Sequence, residues 1–289
     1  MITLQNDSLT VQLNPLGAEL HSLFYNPAQL DYLWSGDPLY WGKKSPILFP
    51  IVGTLKNNTF FYGGKPYHLN RHGFAREKMF NVTLRDHQCV TLTLTSEGQT
   101  RQYYPFDFKL EVNYRLSGST LMVNYLVHNT GLEPMFFSIG GHPAFAVPLE
   151  KGLAYEEYYL EFEAVENAPR WRINAEGLLT EPSDLFLRET NILPLKKSLF
   201  AEDALVFKNL NSSRVSLASH SGHRGLKFDY TGFPYLGIWA AKNADFVCIE
   251  PWCGLADAAS TNQHLEEKEG IIKLAPAEVW QRKWSVEIF

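Results

Sequence analysis

The chain has 289 residues, 45% hydrophobic and 20% charged, with 26 basic against 31 acidic side chains and a formal net charge of −5. Its 7 Trp, 14 Tyr and 19 Phe offer enough apolar surface to offset chain entropy, which excludes a disordered chain. The acidic balance excludes a general phosphate-backbone (nucleic-acid) binder, and no apolar run approaches the ~18 residues of a membrane helix.

In chain order, the start MITLQNDSLTVQL lacks the basic-then-apolar layout of a signal peptide, so the expected location is cytoplasmic. Leu9, Val11 and Leu13 alternate with polar neighbours, as a half-buried strand does. Gly63-Gly64 between Phe60-Phe61-Tyr62 and Tyr67-His68-Leu69 reads as a hairpin turn. Val90, Leu92 and Leu94 alternate with threonines, and a longer alternating pair runs from Phe106 to Leu116 and from Leu121 to Val127 around Ser117-Gly118-Ser119. That pair reads as a long antiparallel hairpin. Further strands are expected at 158–162, 215–219, 226–230, 235–239, 246–250 and 283–288, with short helical turns at 181–189 and 263–269. No linker, repeat or low-complexity tract divides the chain, although length alone at ~150 residues per domain allows two. The expectation is one all-β domain over residues 1–289, a large antiparallel sandwich with few short helices. Cys89, Cys248 and Cys253 form no CxxC pair, and an odd count suits a reducing compartment.

Polar residues interrupt the pattern in four places. Asn70-Arg71-His72-Gly73-Phe74-Ala75-Arg76 sets a histidine between two arginines; a solvated loop is the plain alternative. Ser138-Ile139-Gly140-Gly141-His142-Pro143 puts a histidine where Pro143 must end a strand, as a turn histidine bonded to a carbonyl would also be. In Phe246-Val247-Cys248-Ile249-Glu250-Pro251-Trp252 the carboxylate of Glu250 ends an apolar row. An acid there needs a salt-bridge partner or a task, because an unpaired buried carboxylate costs several kcal/mol or neutralises itself. Asp203 precedes a short apolar strand, where a cap or Asx turn explains it as well as ligand binding does. There is no HExxH, CxxC or HxH cluster for a metal, no GxSxG elbow and no phosphate loop.

Taken together, these segments resemble the aldose 1-epimerase (galactose mutarotase-like) superfamily, and within it the LacX-like branch. The likeness runs through Asn14-Pro15-Leu16-Gly17-Ala18-Glu19-Leu20, the stretch from Trp41-Gly42-Lys43-Lys44-Ser45-Pro46 to Gly53, Arg71 to Arg76, Gly141-His142-Pro143-Ala144-Phe145 and Ile249-Glu250-Pro251-Trp252. The resemblance implies a β-supersandwich with an open cleft for a hexose or sugar phosphate, and no cofactor or metal. It assigns the base to Glu250, the acid to His142, a bond near the ring oxygen to His72 and a sugar-gripping role to Asp203. Arg71 and Arg76 match positions that hold substrate in the hexose-6-phosphate branch. That branch carries Arg-Gly-Gly where this chain has Gly42-Lys43-Lys44, so free and phosphorylated hexoses both stay open, with Lys43 or Lys44 as a point charge. Glutamate and histidine suit the chemistry, since opening a hemiacetal needs one group to take the O1 proton and another to protonate the ring oxygen. Trp252 or Phe74 is expected to stack on the sugar. Two other classes remain: a non-catalytic carbohydrate-binding or regulatory protein on the same scaffold, and a metal enzyme using His72, His142 and Glu250 as ligands. The oligomeric state is open.

Overall fold

The computed structural model describes residues 1–289, apart from the side chains of Ser183 and Asp184. Among the described residues the regular structure is β-strand and short 3-10 turns, with no α-helix. Ile2–Gln5, Leu9–Asn14, Glu19–Tyr25 and Leu30–Asp31 form a four-stranded sheet. Among the described residues the principal sheet has 15 strands, 13 in one line and two, Ala144–Ala146 and Leu179–Pro194, paired beside it. Its order begins at Ile47–Leu48 and continues through Ile139–Gly141, Phe246–Cys253, Tyr235–Trp239, Leu205–Lys208 and Tyr158–Ile173. It then passes through Arg214–Ser219, Leu226–Asp229, Val279–Ile288, Thr120–Asn129, Phe108–Ser117 and Cys89–Thr95 to the edge strand Asn81–Arg85.

Alternation decides the faces. In Phe108–Ser117 and Thr120–Asn129 the apolar residues Leu110, Val112, Leu121, Val123 and Val127 are wholly buried, while Glu111, Asn113, Met122, Asn124 and Leu126, which alternate with the buried face, are not. Burying each such side chain is worth roughly 1.5–3 kcal/mol. Ser117 pairs with Thr120, leaving Gly118-Ser119 as a two-residue turn with Gly118 at φ 56°, the left-handed conformation that such turns demand. Tyr104, Tyr114 and Tyr125 enter this core with their hydroxyls satisfied. The hydroxyl of Tyr114 donates to the Ala18 carbonyl at 2.7 Å, that of Tyr104 donates to the Phe136 carbonyl at 2.8 Å, and the Trp284 indole N–H donates to Tyr125 Oη at 2.9 Å.

One expectation fails. Residues 181–189 are not helical but belong to the strand Leu179–Pro194, which pairs with Tyr158–Ile173 through a series of register shifts. The shifts break the period of two, and cross-strand pairing overrides the local helix preference. The turn expected at 263–269 is the 3-10 turn Leu265–Glu267. The three cysteines are free and buried.

Candidate active site

Phe246–Cys253 is buried along its whole length, flanked by Tyr235–Trp239 on one side and Ile139–Gly141 on the other. Its side chains therefore need room from both neighbours, and glycines supply it. Gly140 pairs with Trp252, and a Cβ on Gly140 would stand 2.7 Å from the Trp252 ring; one on Gly237 would stand 2.4 Å from it. The indole lies across both glycines and floors a cleft of about 440 Å³.

Glu250 opens into that cleft two residues before Trp252, only 1% exposed. His142, leaving the end of Ile139–Gly141, brings its Nε2 to 3.3 Å from Glu250 Oε2. The angles do not make this a hydrogen bond, and Glu250 Oε2 has no other partner. Burial pushes the Glu250 carboxyl well above its usual range, with the Arg71 guanidinium opposing. Burial likewise pushes His142 down to about 3, with Arg71 and Arg76 adding to the effect.

His72 sits at φ 69°, clasped by one residue: its N–H donates to the Gly53 carbonyl at 2.8 Å and the Gly53 N–H donates to its Nδ1 at 3.1 Å. Arg71 Nε also points at His72 Nε2, at 3.3 Å. A neutral imidazole accepts at one nitrogen only. The fixed backbone donor therefore takes Nδ1, Nε2 carries the proton, and Arg71 Nε faces a donor rather than an acceptor. Burial, then the His142 ring and the two arginines, holds His72 well below its ordinary pKa and so neutral. The two histidine rings meet edge to face at 5.8 Å and 83°.

Arg71 also reaches Asp203, with Nη2 3.2 Å from Oδ1 and Nη1 3.3 Å from Oδ2. Asp203 is itself held at φ 89° with Oδ1 accepting the Ala204 N–H at 2.8 Å. Arg76 Nη2 donates to the Arg71 carbonyl at 2.8 Å, tying the loop to the pair.

The six residues singled out in the sequence, Arg71, His72, Arg76, His142, Asp203 and Glu250, thus line one cleft. Trp252 joins them, but Phe74 does not: it is 6% exposed in a core of Phe49, Tyr103 and Phe108. Lys43 and Lys44 also lie elsewhere, Lys43 Nζ 4.0 Å from Glu19 and Lys44 Nζ donating to the His21 carbonyl at 3.0 Å. Their place is taken by Lys242, which with Trp41, Trp239 and Phe200 completes the lining and which no motif had marked. The sequence trio for a metal is not reproduced. Among the described residues the close group is His142, Cys248 and Glu250, with ligand atoms within 4.8 Å of one another. The Cys248 thiol is raised well above its ordinary value, by burial first and then by Glu250, whereas a metal takes the thiolate.

A broad antiparallel sheet with a carboxylate, two histidines and an arginine–aspartate pair in one cleft defines a galactose mutarotase-like protein. The chain belongs to the aldose 1-epimerase family, whose model, described as "Aldose 1-epimerase", matches residues 1–284. It is 35% identical over 296 residues to the chromosomal protein LacX of Lactococcus lactis subsp. lactis, covering 99% of each chain. Among solved structures it is similar to a galactose mutarotase related enzyme from Lactobacillus acidophilus (TM-score 0.95, 33% identity, 100% of this chain and 97% of that one). It is also similar to a galactose mutarotase-like protein from Lactobacillus casei ATCC 334 (TM-score 0.94, 31% identity, 100% of both chains).

Proposed function

We propose that the protein is a mutarotase that interconverts the α and β anomers of a hexose in the cytoplasm. The observation that carries this reading is the pair Glu250 and His142, 3.3 Å apart at the cleft with no hydrogen bond from the protein to Glu250 Oε2. Glu250 as carboxylate removes the proton from O1. The O1 electrons form the C1 carbonyl as the C1–O5 bond breaks, and O5 takes a proton from the His142 imidazolium. Rotation about C1–C2 presents the other carbonyl face, and reclosure returns both protons. One proton is therefore held by the pair throughout: burial favours it on Glu250 in the free protein, the reactive state with the ring closed carries it on His142, and ring opening leaves it on Glu250. A raised carboxyl works as a base near neutral pH, and an imidazolium disfavoured by burial gives up its proton readily. Neutral His72 offers its Nε2–H to the sugar, and the Arg71–Asp203 pair offers donors and acceptors to hydroxyls.

Polarimetry of freshly dissolved α-glucose and α-galactose tests the reading. The wild type is expected to speed the approach to equilibrium and Glu250→Gln to lose that effect; identical rates for both proteins across free and phosphorylated aldoses leave a non-catalytic sugar binder.

A second reading, a hexose phosphate as substrate, is favoured by Lys242 and Arg76 lining the same cleft. Lys242→Ala is then expected to raise KM for glucose 6-phosphate and leave that for glucose unchanged.

A further inference from the structure

His142 lacks the hydrogen bond that ordinarily orients a proton-transferring histidine. Such a ring usually donates from its rear nitrogen to a carbonyl or carboxylate, which fixes both tautomer and plane. Here Nε2 faces Glu250 and Nδ1 is buried without a partner. Aromatic rings surround the imidazole instead. The Trp41 ring stacks on it at 4.9 Å and 28°, and Trp239 meets it edge-on at 5.6 Å and 84°. Trp41 and Trp239 cross each other at 5.4 Å and 78°. Trp41 is anchored in its turn: its carbonyl accepts the Trp34 indole N–H at 2.9 Å, and its ring stacks against Phe246 at 5.6 Å.

We propose that Trp41, backed by Trp239, is the positioning residue for His142, holding the imidazole plane by ring contact and stabilising the imidazolium through its π face. An indole attracts a cation within about 6 Å of its centroid, and more strongly where water is excluded. With Nδ1 reaching no residue but its own backbone, that face adds to the Glu250 carboxylate at Nε2 in stabilising the ring when it is charged. Trp41 also lines the cleft, so a platform for the sugar's apolar face is the competing role, and the two roles give different kinetics. A platform acts on binding; a positioning residue acts on the chemical step.

The kinetic half of the test rests on the mutarotase reading; the spectroscopic half does not. In the full-length protein, Trp41→Leu keeps the site dry and removes the π face. It is expected to lower kcat about 10- to 100-fold with little change in KM, and Trp41→Phe is expected to recover most of the loss. By NMR, the His142 ring protons of the wild type are expected upfield, shielded by the indole, and to move downfield in Trp41→Leu. A variant that raises KM at unchanged kcat makes Trp41 a sugar platform and overturns the proposal. So do His142 resonances that are the same with and without the indole. If Trp41→Leu does not fold, Trp41→Phe and Trp239→Phe give the same two readouts at smaller amplitude. If no sugar is turned over by the wild type, the orientation of the His142 ring read from its NOEs decides: an orientation unchanged in Trp41→Leu overturns the proposal.

Discussion

Glu250 occupies a position that the alternation would give to an apolar residue, and its burial has consequences for both rate and stability. Glu250→Gln is expected to lower kcat about 10²–10⁴-fold, the usual worth of such a group, with KM nearly unchanged. The pair titrates as a unit. His142 is pushed down to about 3 and Glu250 well up from 4.5, so a second proton binds only in strong acid and the first leaves only above the ordinary carboxylate range. The kcat/KM profile is accordingly expected to be flat through mild acid and to fall on the alkaline side. A profile that climbs through pH 4–5 and stays level to pH 9 would mean that Glu250 titrates like an exposed acid. For stability the sign is the following: a folded value raised above the unfolded one gives stability that is complete below about 4.5 and lost as pH rises through the raised value. Glu250→Gln should therefore raise Tm relative to wild type, and by more at pH 8 than at pH 5. Arg71 and Asp203 behave differently, because their pair is partly exposed and exposed pairs contribute little to stability. Asp203→Asn is expected to raise KM while leaving Tm within a degree or two.

At the scale of elements, the site is a property of three neighbouring strands rather than of any one segment. Tyr235–Trp239 and Ile139–Gly141 give up side chains at Gly237 and Gly140 so that Trp252 can lie flat between them. Gly237→Ala is expected to destabilise the fold by about 1–3 kcal/mol, as overpacking does, and to weaken sugar binding by lifting the indole from the floor. Denaturant titration followed by tryptophan fluorescence checks both. The same geometry explains what could be read beforehand. Leu110, Val112, Leu121 and Val123 announce their strands because one face is wet, and the motifs around His72, His142 and Glu250 are contiguous in the chain. Trp239 and Lys242 enter the cleft only through cross-strand neighbours that no local window contains. Of the two aromatics offered for stacking, Trp252 lines the cleft and Phe74 turns into the core, because a residue beside a glycine-rich turn carries no sign of which way its ring points. The strand at Leu179–Pro194 was hidden by its bulges.

Across the whole molecule, the chain's last strand is not at an edge. Val279–Ile288 lies between Thr120–Asn129 and Leu226–Asp229, and the Phe289 carbonyl accepts the Tyr32 hydroxyl at 3.0 Å, joining the end of the chain to its start. On this arrangement we propose a single folding unit over residues 1–289, expected to unfold in one transition by heat or denaturant, with fluorescence and circular dichroism coincident. Ending the chain at Glu278 is expected to abolish soluble folding rather than merely to lower Tm.

That central placement of Val279–Ile288 also sets an order for assembly during synthesis. While a ribosome is still extending the chain, Thr120–Asn129 and Leu226–Asp229 each lack the partner that separates them, and their backbone donors and acceptors are open to any passing strand. The closing step brings Val279–Ile288 against Thr120–Asn129, more than a hundred positions away, which is slow because the loop must be closed before any contact rewards it. Nascent chains stalled before Val279 should accordingly be held by chaperones or lost to aggregation, and emergence of Val279–Ile288 should be the event that closes the sheet.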